Sequence, residues 1–193
     1  MPSPARRITA ARNVALAFIL LLTSGHPLIS PASASSTGLT ADAQYDYALS
    51  CLKAQDYPCA ADEFRRFIHF FPADQRVAGA RLQMGRAQLL ADMPEAAVKS
   101  FETVIKRYEG RPEAVQAAFL KAEAWNRLNA PNQALLTLNN LISSTTDDAV
   151  KDRVRFRSAW IHIDHGNWPA ARAALNAISA DHRDQYRADT LLN

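Results

Sequence analysis

Residues 41–72, ADAQYDYALSCLKAQDYPCAADEFRRFIHFFP, carry the pattern that decides the fold. In the second half, Ala60, Phe64, Phe67, Ile68 and Phe71 recur at helical spacing, while Arg65 and Arg66 fall on the opposite face. Asp56-Tyr57-Pro58 separates this stripe from the apolar residues before it. Proline suits the first turn of a helix, where its missing N–H has no intrahelical partner. An Asp or Asn two positions earlier can close an Asx turn. The segment reads as helix, tight turn, helix.

The same unit returns in a 37-residue register without a gap. Ala60, Ala97, Ala134 and Ala171 share one column; Phe64, Phe101, Leu138 and Leu175 share a second; Phe67, Val104, Leu141 and Ile178 share a third. Upstream, Ala48, Gly85, Ala122 and Ala159 form a small-residue column, and Tyr45, Leu82, Phe119 and Phe156 a large apolar one. The punctuation recurs as Asp92-Met93-Pro94, Asn129-Ala130-Pro131 and Asn167-Trp168-Pro169, each predicting an Asx turn. First helices are expected near 41–55, 75–91, 112–128 and 147–165, and second helices near 58–71, 94–108, 131–143 and 168–179.

One helical hairpin cannot bury its apolar face alone, so neighbouring units stack and the core runs along the array. The expected architecture is an all-α solenoid of four tandem helix-turn-helix repeats over residues 41–183, in units of about 41–77, 78–114, 115–151 and 152–183. Residues 184–193 read as the start of a capping or further helix.

These columns resemble the tetratricopeptide repeat. The resemblance rests on Ala48, Ala60, Phe64 and Pro72 in unit one, on Gly85, Ala97 and Phe101 in unit two, and on the Gln55-Asp56-Tyr57 and Gly166-Asn167-Trp168 turns. The period departs from the family's, 37 against about 34, and units three and four are more degenerate. The resemblance implies a concave groove lined by the first helices. Carried over by position, it falls on Tyr45, Leu49, Arg86, Leu89, Phe119, Glu123, Asn126, Arg127, Arg153, Phe156, Trp160 and Ile163. Arginines and aromatics are enriched at interface hot spots. Leu82, Leu89 and Phe119 fit a stacking core equally well. The lysine and asparagine pattern that clamps a peptide's terminal carboxylate in some family members is absent, which argues against a chaperone-tail receptor.

The first 34 residues have a different composition. Arg6, Arg7 and Arg12 precede an apolar run from Val14 to Leu22, and Ala32-Ser33-Ala34 supplies small residues for cleavage. The run is far shorter than the roughly 20 residues that span a bilayer. Residues 1–34 therefore read as a signal peptide cleaved after Ala34, followed by a short linker at 35–40, and the mature chain is expected in the periplasm. A retained N-terminal membrane anchor is the alternative. Of 22 basic residues, those three precede Ser35, leaving 19 against 19 acidic ones. A domain of zero formal charge argues against nucleic acid as a partner. Export also bears on Cys51 and Cys59, since it permits a disulfide. Cys51 lies near the end of one helix and Cys59 opens the next, so they read either as a bridge or as two buried thiols that never meet.

Enzymatic motifs are missing. No glycine-rich loop follows a strand and no GxSxG elbow is present. Asp62-Glu63 and Asp147-Asp148 are adjacent and diverge on a helix. His162 and His165 can share a helix face, but no third metal ligand is apparent. The sequence thus predicts a non-enzymatic protein–protein interaction scaffold of the bacterial cell envelope. It needs no cofactor or metal and has no small-molecule substrate. Its partners would be other envelope proteins, with homo-oligomers also open. The alternatives are a self-associating structural module or an accessory domain of an envelope enzyme complex.

Overall fold

The computed structural model describes residues 40–180 and 182. The segment 1–34 read as a signal peptide, linker residues 35–39 and the helix expected at 184–193 lie outside them. The described residues form eight helices: α1 (Ala41–Lys53), α2 (Tyr57–Phe70), α3 (Val77–Leu90), α4 (Pro94–Arg107), α5 (Pro112–Arg127), α6 (Pro131–Ser144), α7 (Asp148–Asp164) and α8 (Trp168–Asn176). Each helix packs on the next in the chain, so the second helix of one unit meets the first helix of the following one, and α3 also touches α5.

Local chemistry sets the helix ends. Proline stands in the first turn of α2, α4, α5, α6 and α8. Within every unit the first helix ends on a residue in the left-handed region: Gln55 at φ 60°, Asp92 at 58°, Asn129 at 54° and Gly166 at 71°. These positions keep the 37-residue register. Each turn makes the same two hydrogen bonds. In unit one the Gln55 N–H donates to Leu52 O and the Asp56 N–H to Cys51 O; in unit four Gly166 donates to Ile163 O and Asn167 to His162 O. This is the Schellman closure, which satisfies carbonyls the helix leaves unpaired.

The Asx turn expected in all four units is not formed; in two of them the side chain caps the second helix instead. Asp56 and Asn167 stand at the N-caps and accept from the Cys59 and Ala170 N–H groups at 3.1 and 3.3 Å. In units two and three the acid or amide sits one residue earlier in the register. Asp92 and Asn129 therefore occupy the left-handed position, which short polar side chains tolerate, and the caps at Met93 and Ala130 make no side-chain bond. Gly166 has no atom within 4 Å of a would-be Cβ, so its substitution tests the backbone alone. Gly166→Ala is expected to lower stability by about 1 kcal/mol. Gln55→Gly is expected to raise it by about 0.5 kcal/mol, the relieved strain less the added chain entropy. Denaturant midpoints would show both, and equal shifts of one sign would contradict the account.

Between units, the connecting loop shortens by as many residues as the following helix gains. The loops run 71–76, 108–111 and 145–147, while α3, α5 and α7 have 14, 16 and 17 residues. The turn-to-turn distance along the chain is thereby preserved.

Most repeat columns form the core. Ala48, Ala60, Ala97, Ala134 and Ala159, with Phe64, Phe101, Leu138, Phe67 and Val104, are fully buried. At Gly85 a Cβ would meet Phe101 Cε1 at 2.6 Å, so the close approach demands glycine. Unit four departs from the others. Its α8 was expected to reach residue 179 but ends at Asn176, at nine residues against 14 in α2, α4 and α6. Two columns explain the difference. Ala41, Ala78 and Val115 lead to Asp152, and Ile68, Ile105 and Ile142 lead to Ser179. Asp152 is fully buried and accepts from the Ser179 N–H at 3.2 Å and from its hydroxyl. That polar capture draws the chain off the helical path just past α8.

Candidate partner-binding cleft

Three first helices, α3, α5 and α7, bound a cleft of about 370 Å³. Of the residues the resemblance implied, Arg86, Leu89, Phe119, Glu123, Arg127 and Arg153 line it. Leu82, Gln83, Leu90, Leu120, Gln116 and Arg157 line it too, so the positional carry-over missed half of the wall. Arg157 had a legible signal: four residues beyond Arg153, it shares that residue's helix face.

The arginines differ in what holds them. Arg127 bridges two units, donating through Nη1 to Leu89 O and through Nη2 to Glu123, both at 3.0 Å. It ties the end of α5 to the end of α3, so its role is partly structural. The Arg153 guanidinium lies 4.0 Å from the centre of the Phe119 ring. Phe119 is buried beneath it, so it is both core and cleft floor. Such stacking fixes the guanidinium plane and leaves its N–H edge for an acceptor. Among the described residues Arg86, Arg153 and Arg157 form no ion pair, and the one acid lining this cleft, Glu123, is already held by Arg127.

A smaller pocket of about 80 Å³ adjoins it, walled by Phe119, Ala122, Leu138, Trp160 and Ile161 with Glu123, Asn126, Arg157 and Asp164 at its rim. Trp160 is half-buried there, and Phe156 meets its ring edge-on at 6.3 Å. Phe156 lines neither hollow. Asn126 bridges units three and four, donating to Asp164 Oδ2 and accepting from His165 Nε2, both at 3.0 Å. His165 is thereby engaged with an amide, and among the described residues no three His, Cys, Asp or Glu side chains are set to hold a metal.

Tyr45 does not belong to this surface. Its ring packs edge-on against Phe64 and Phe67, centroids 5.8 and 5.1 Å away, beneath the Arg76 guanidinium. Two phenylalanines on α2 take up the face that the groove assignment left open. Arg76 also pairs with Asp42 and Asp74 at 2.8 Å, and its hydrogen bonds lower the Asp74 carboxyl pKa to about 2. In the same unit Cys51 and Cys59 come together as a disulfide, with Cα atoms 5.8 Å apart, inside the usual range for a bridge.

A further hollow, about 690 Å³, lies among α4, α5 and α6. Its lysines already have a carboxylate. Lys106 pairs with Glu102 at 2.8 Å, and Lys121 acts on the same group. The unanswered charge is in the arginine cleft.

Ser179, His182 and Asp152 bring serine, histidine and aspartate together at the far end of the array. His182 Nδ1 meets Asp152 Oδ2 at 2.9 Å and Ser179 Oγ at 3.2 Å. Both contacts converge on one ring nitrogen. A proton relay needs the carboxylate and the hydroxyl on opposite nitrogens, so this cluster is a structural lock.

Stacked helical hairpins around an open, side-chain-lined cleft define a repeat solenoid of the kind that holds other proteins. Residues 82–149 match the Tetratricopeptide repeat family model, and the 37-residue columns carry a similar unit along the rest of the described chain. Such repeats generally mediate protein–protein contact, and proteins of the family are typically non-enzymatic scaffolds. The fold is similar to the crystal structure of a tetratricopeptide repeat protein from Parabacteroides merdae ATCC 43184, with TM-score 0.58 and 12% identity over 70% of this chain. The match covers 51% of that protein, so this chain spans about half its length. No curated protein matches the sequence.

Proposed function

We propose that the protein is an exported, non-enzymatic scaffold of the bacterial cell envelope that holds an acidic, partly apolar segment of a partner protein along α3, α5 and α7. The observation that carries the reading is the cleft, where arginines without acidic partners stand over an apolar floor of Leu82, Leu89 and Phe119. Arginine binds carboxylates through paired N–H groups, and the tryptophan-walled pocket beside it offers an apolar anchor. Export rests on residues 1–34 and is in keeping with the Cys51–Cys59 bridge.

A photo-reactive group at Gln116, in the cleft, and another at Asn139, exposed on α6, would be compared in an envelope fraction. A product specific to position 116 is expected. Trp160→Ala should weaken it by about 2 kcal/mol while helix content holds. Identical products at both positions, or indifference to Trp160→Ala, would overturn the cleft assignment. Mass analysis of the same material should find a chain that begins at Ser35 and is lighter than the dithiol form by a pair of hydrogens. A chain retaining Met1 would refute export.

A further inference from the structure

We propose that the cleft selects a segment of asymmetric charge: carboxylates on one side of a single aliphatic anchor, and a neutral or basic residue on the other. The proposal rests on the reading of the cleft as the partner groove and adds what that groove discriminates.

The two hollows share Phe119, Glu123 and Arg157, so they adjoin, a wide end beside a narrow one. The wide end holds four arginines and one glutamate, an excess of three positive charges. Arg153 and Arg157 stand one turn apart on α7, and like charges at that spacing destabilise a helix. Their neighbourhood is therefore tuned for an anion rather than for the isolated fold.

The narrow end lacks that excess. Asp164 stands at its rim against Arg157, and Glu123 beside it is already paired with Arg127. The Asp164 carboxylate takes its hydrogen bond from the neutral Asn126 amide, which leaves its charge uncompensated. At about 80 Å³ the socket is roughly half the volume of a cavity that holds a benzene ring, about 150 Å³. That is room for about one aliphatic side chain. An extended segment advances about 3.3 Å per residue, so with both hollows sharing walls the acids lie within a few residues of the anchor. Beyond the anchor the chain passes Asp164, which repels a carboxylate and attracts an ammonium.

Two C-terminally amidated peptides with fluorescein on the N-terminus test this on the full chain: Glu-Glu-Ser-Leu-Ser-Lys and Glu-Glu-Ser-Leu-Ser-Glu. A cleft that is merely cationic binds the second, more acidic peptide more tightly. The proposal expects the first to bind about fivefold tighter. Asp164→Asn should abolish that preference, and Arg153→Gln should weaken both peptides. Equal affinity, or preference for the all-acidic peptide, overturns the asymmetry and leaves the groove assignment standing. Binding of neither peptide overturns both.

Discussion

Gly85→Leu is expected to destabilise the protein by about 3 kcal/mol, a large share of the roughly 5–15 kcal/mol that holds a domain together. A Cβ at this position would already lie 2.6 and 2.9 Å from two atoms of the Phe101 ring. Phe101 is fully buried, so its ring can move only by displacing packed neighbours. Thermal unfolding followed at the helix bands would register the loss, and an unchanged midpoint would show the seam to be soft. The repeat itself supplies the compensating change. Unit three pairs Ala122 with Leu138 where unit two pairs Gly85 with Phe101. Gly85→Ala with Phe101→Leu should recover most of what Gly85→Ala loses, aided by the better helix propensity of alanine. Unit one accommodates Ala48 with Phe64, whose ring is met edge-on by Tyr45, a residue that unit two replaces with Leu82.

Asp152→Val is expected to cost about 3 kcal/mol and to loosen the end of the array, because it leaves the Ser179 N–H and hydroxyl and the Arg155 guanidinium without their acceptor. Valine is what unit three carries in that column, at Val115. Asp152→Val with Ser179→Ile therefore restores the apolar pair of the other units. The double variant should regain stability and lengthen α8 beyond Asn176, read as added helix signal. A double variant as unstable as the single one would contradict this. Acid offers an independent readout. Burial raises the Asp152 pKa, but hydrogen bonds from Ser179, His182 and Arg155 outweigh it and hold the carboxyl well below the usual carboxylate range. Its folded value is thus below its unfolded value of about 3.9. The stabilisation is complete above that pH and fades as the pH falls towards the folded value. Below about pH 4 the melting temperature of the parent should fall faster than that of Asp152→Asn.

Helix and turn placement was legible because the 37-residue register repeats both the apolar stripe and its punctuation. The small-residue columns at Ala48 and Ala60 are buried as their spacing implied. What the register could not reveal is which face of a shared column meets solvent. Tyr45 and Phe119 occupy one column, yet α2 phenylalanines claim the first while Arg153 covers the second. The left-handed turns were also hidden, since only Gly166 among the four announces positive φ by its identity. Asp152 was visible as a break in an apolar column, but its meaning depended on the simultaneous break at Ser179. The arginine cleft was half legible: position gave Arg86 and Arg153, while Arg157 required the neighbouring helix face.

The reciprocal trade between loop length and first-helix length separates two kinds of chain slack. A residue inserted between hairpins can be taken up by unwinding or winding the first turn of the next helix, leaving both neighbouring turns in phase. The same residue inserted inside a hairpin rotates everything beyond it by about 100° and turns the seam alanines away from their partners. Length variation in this array is therefore cheap at 71–76, 108–111 and 145–147, and ruinous anywhere between a seam and its turn.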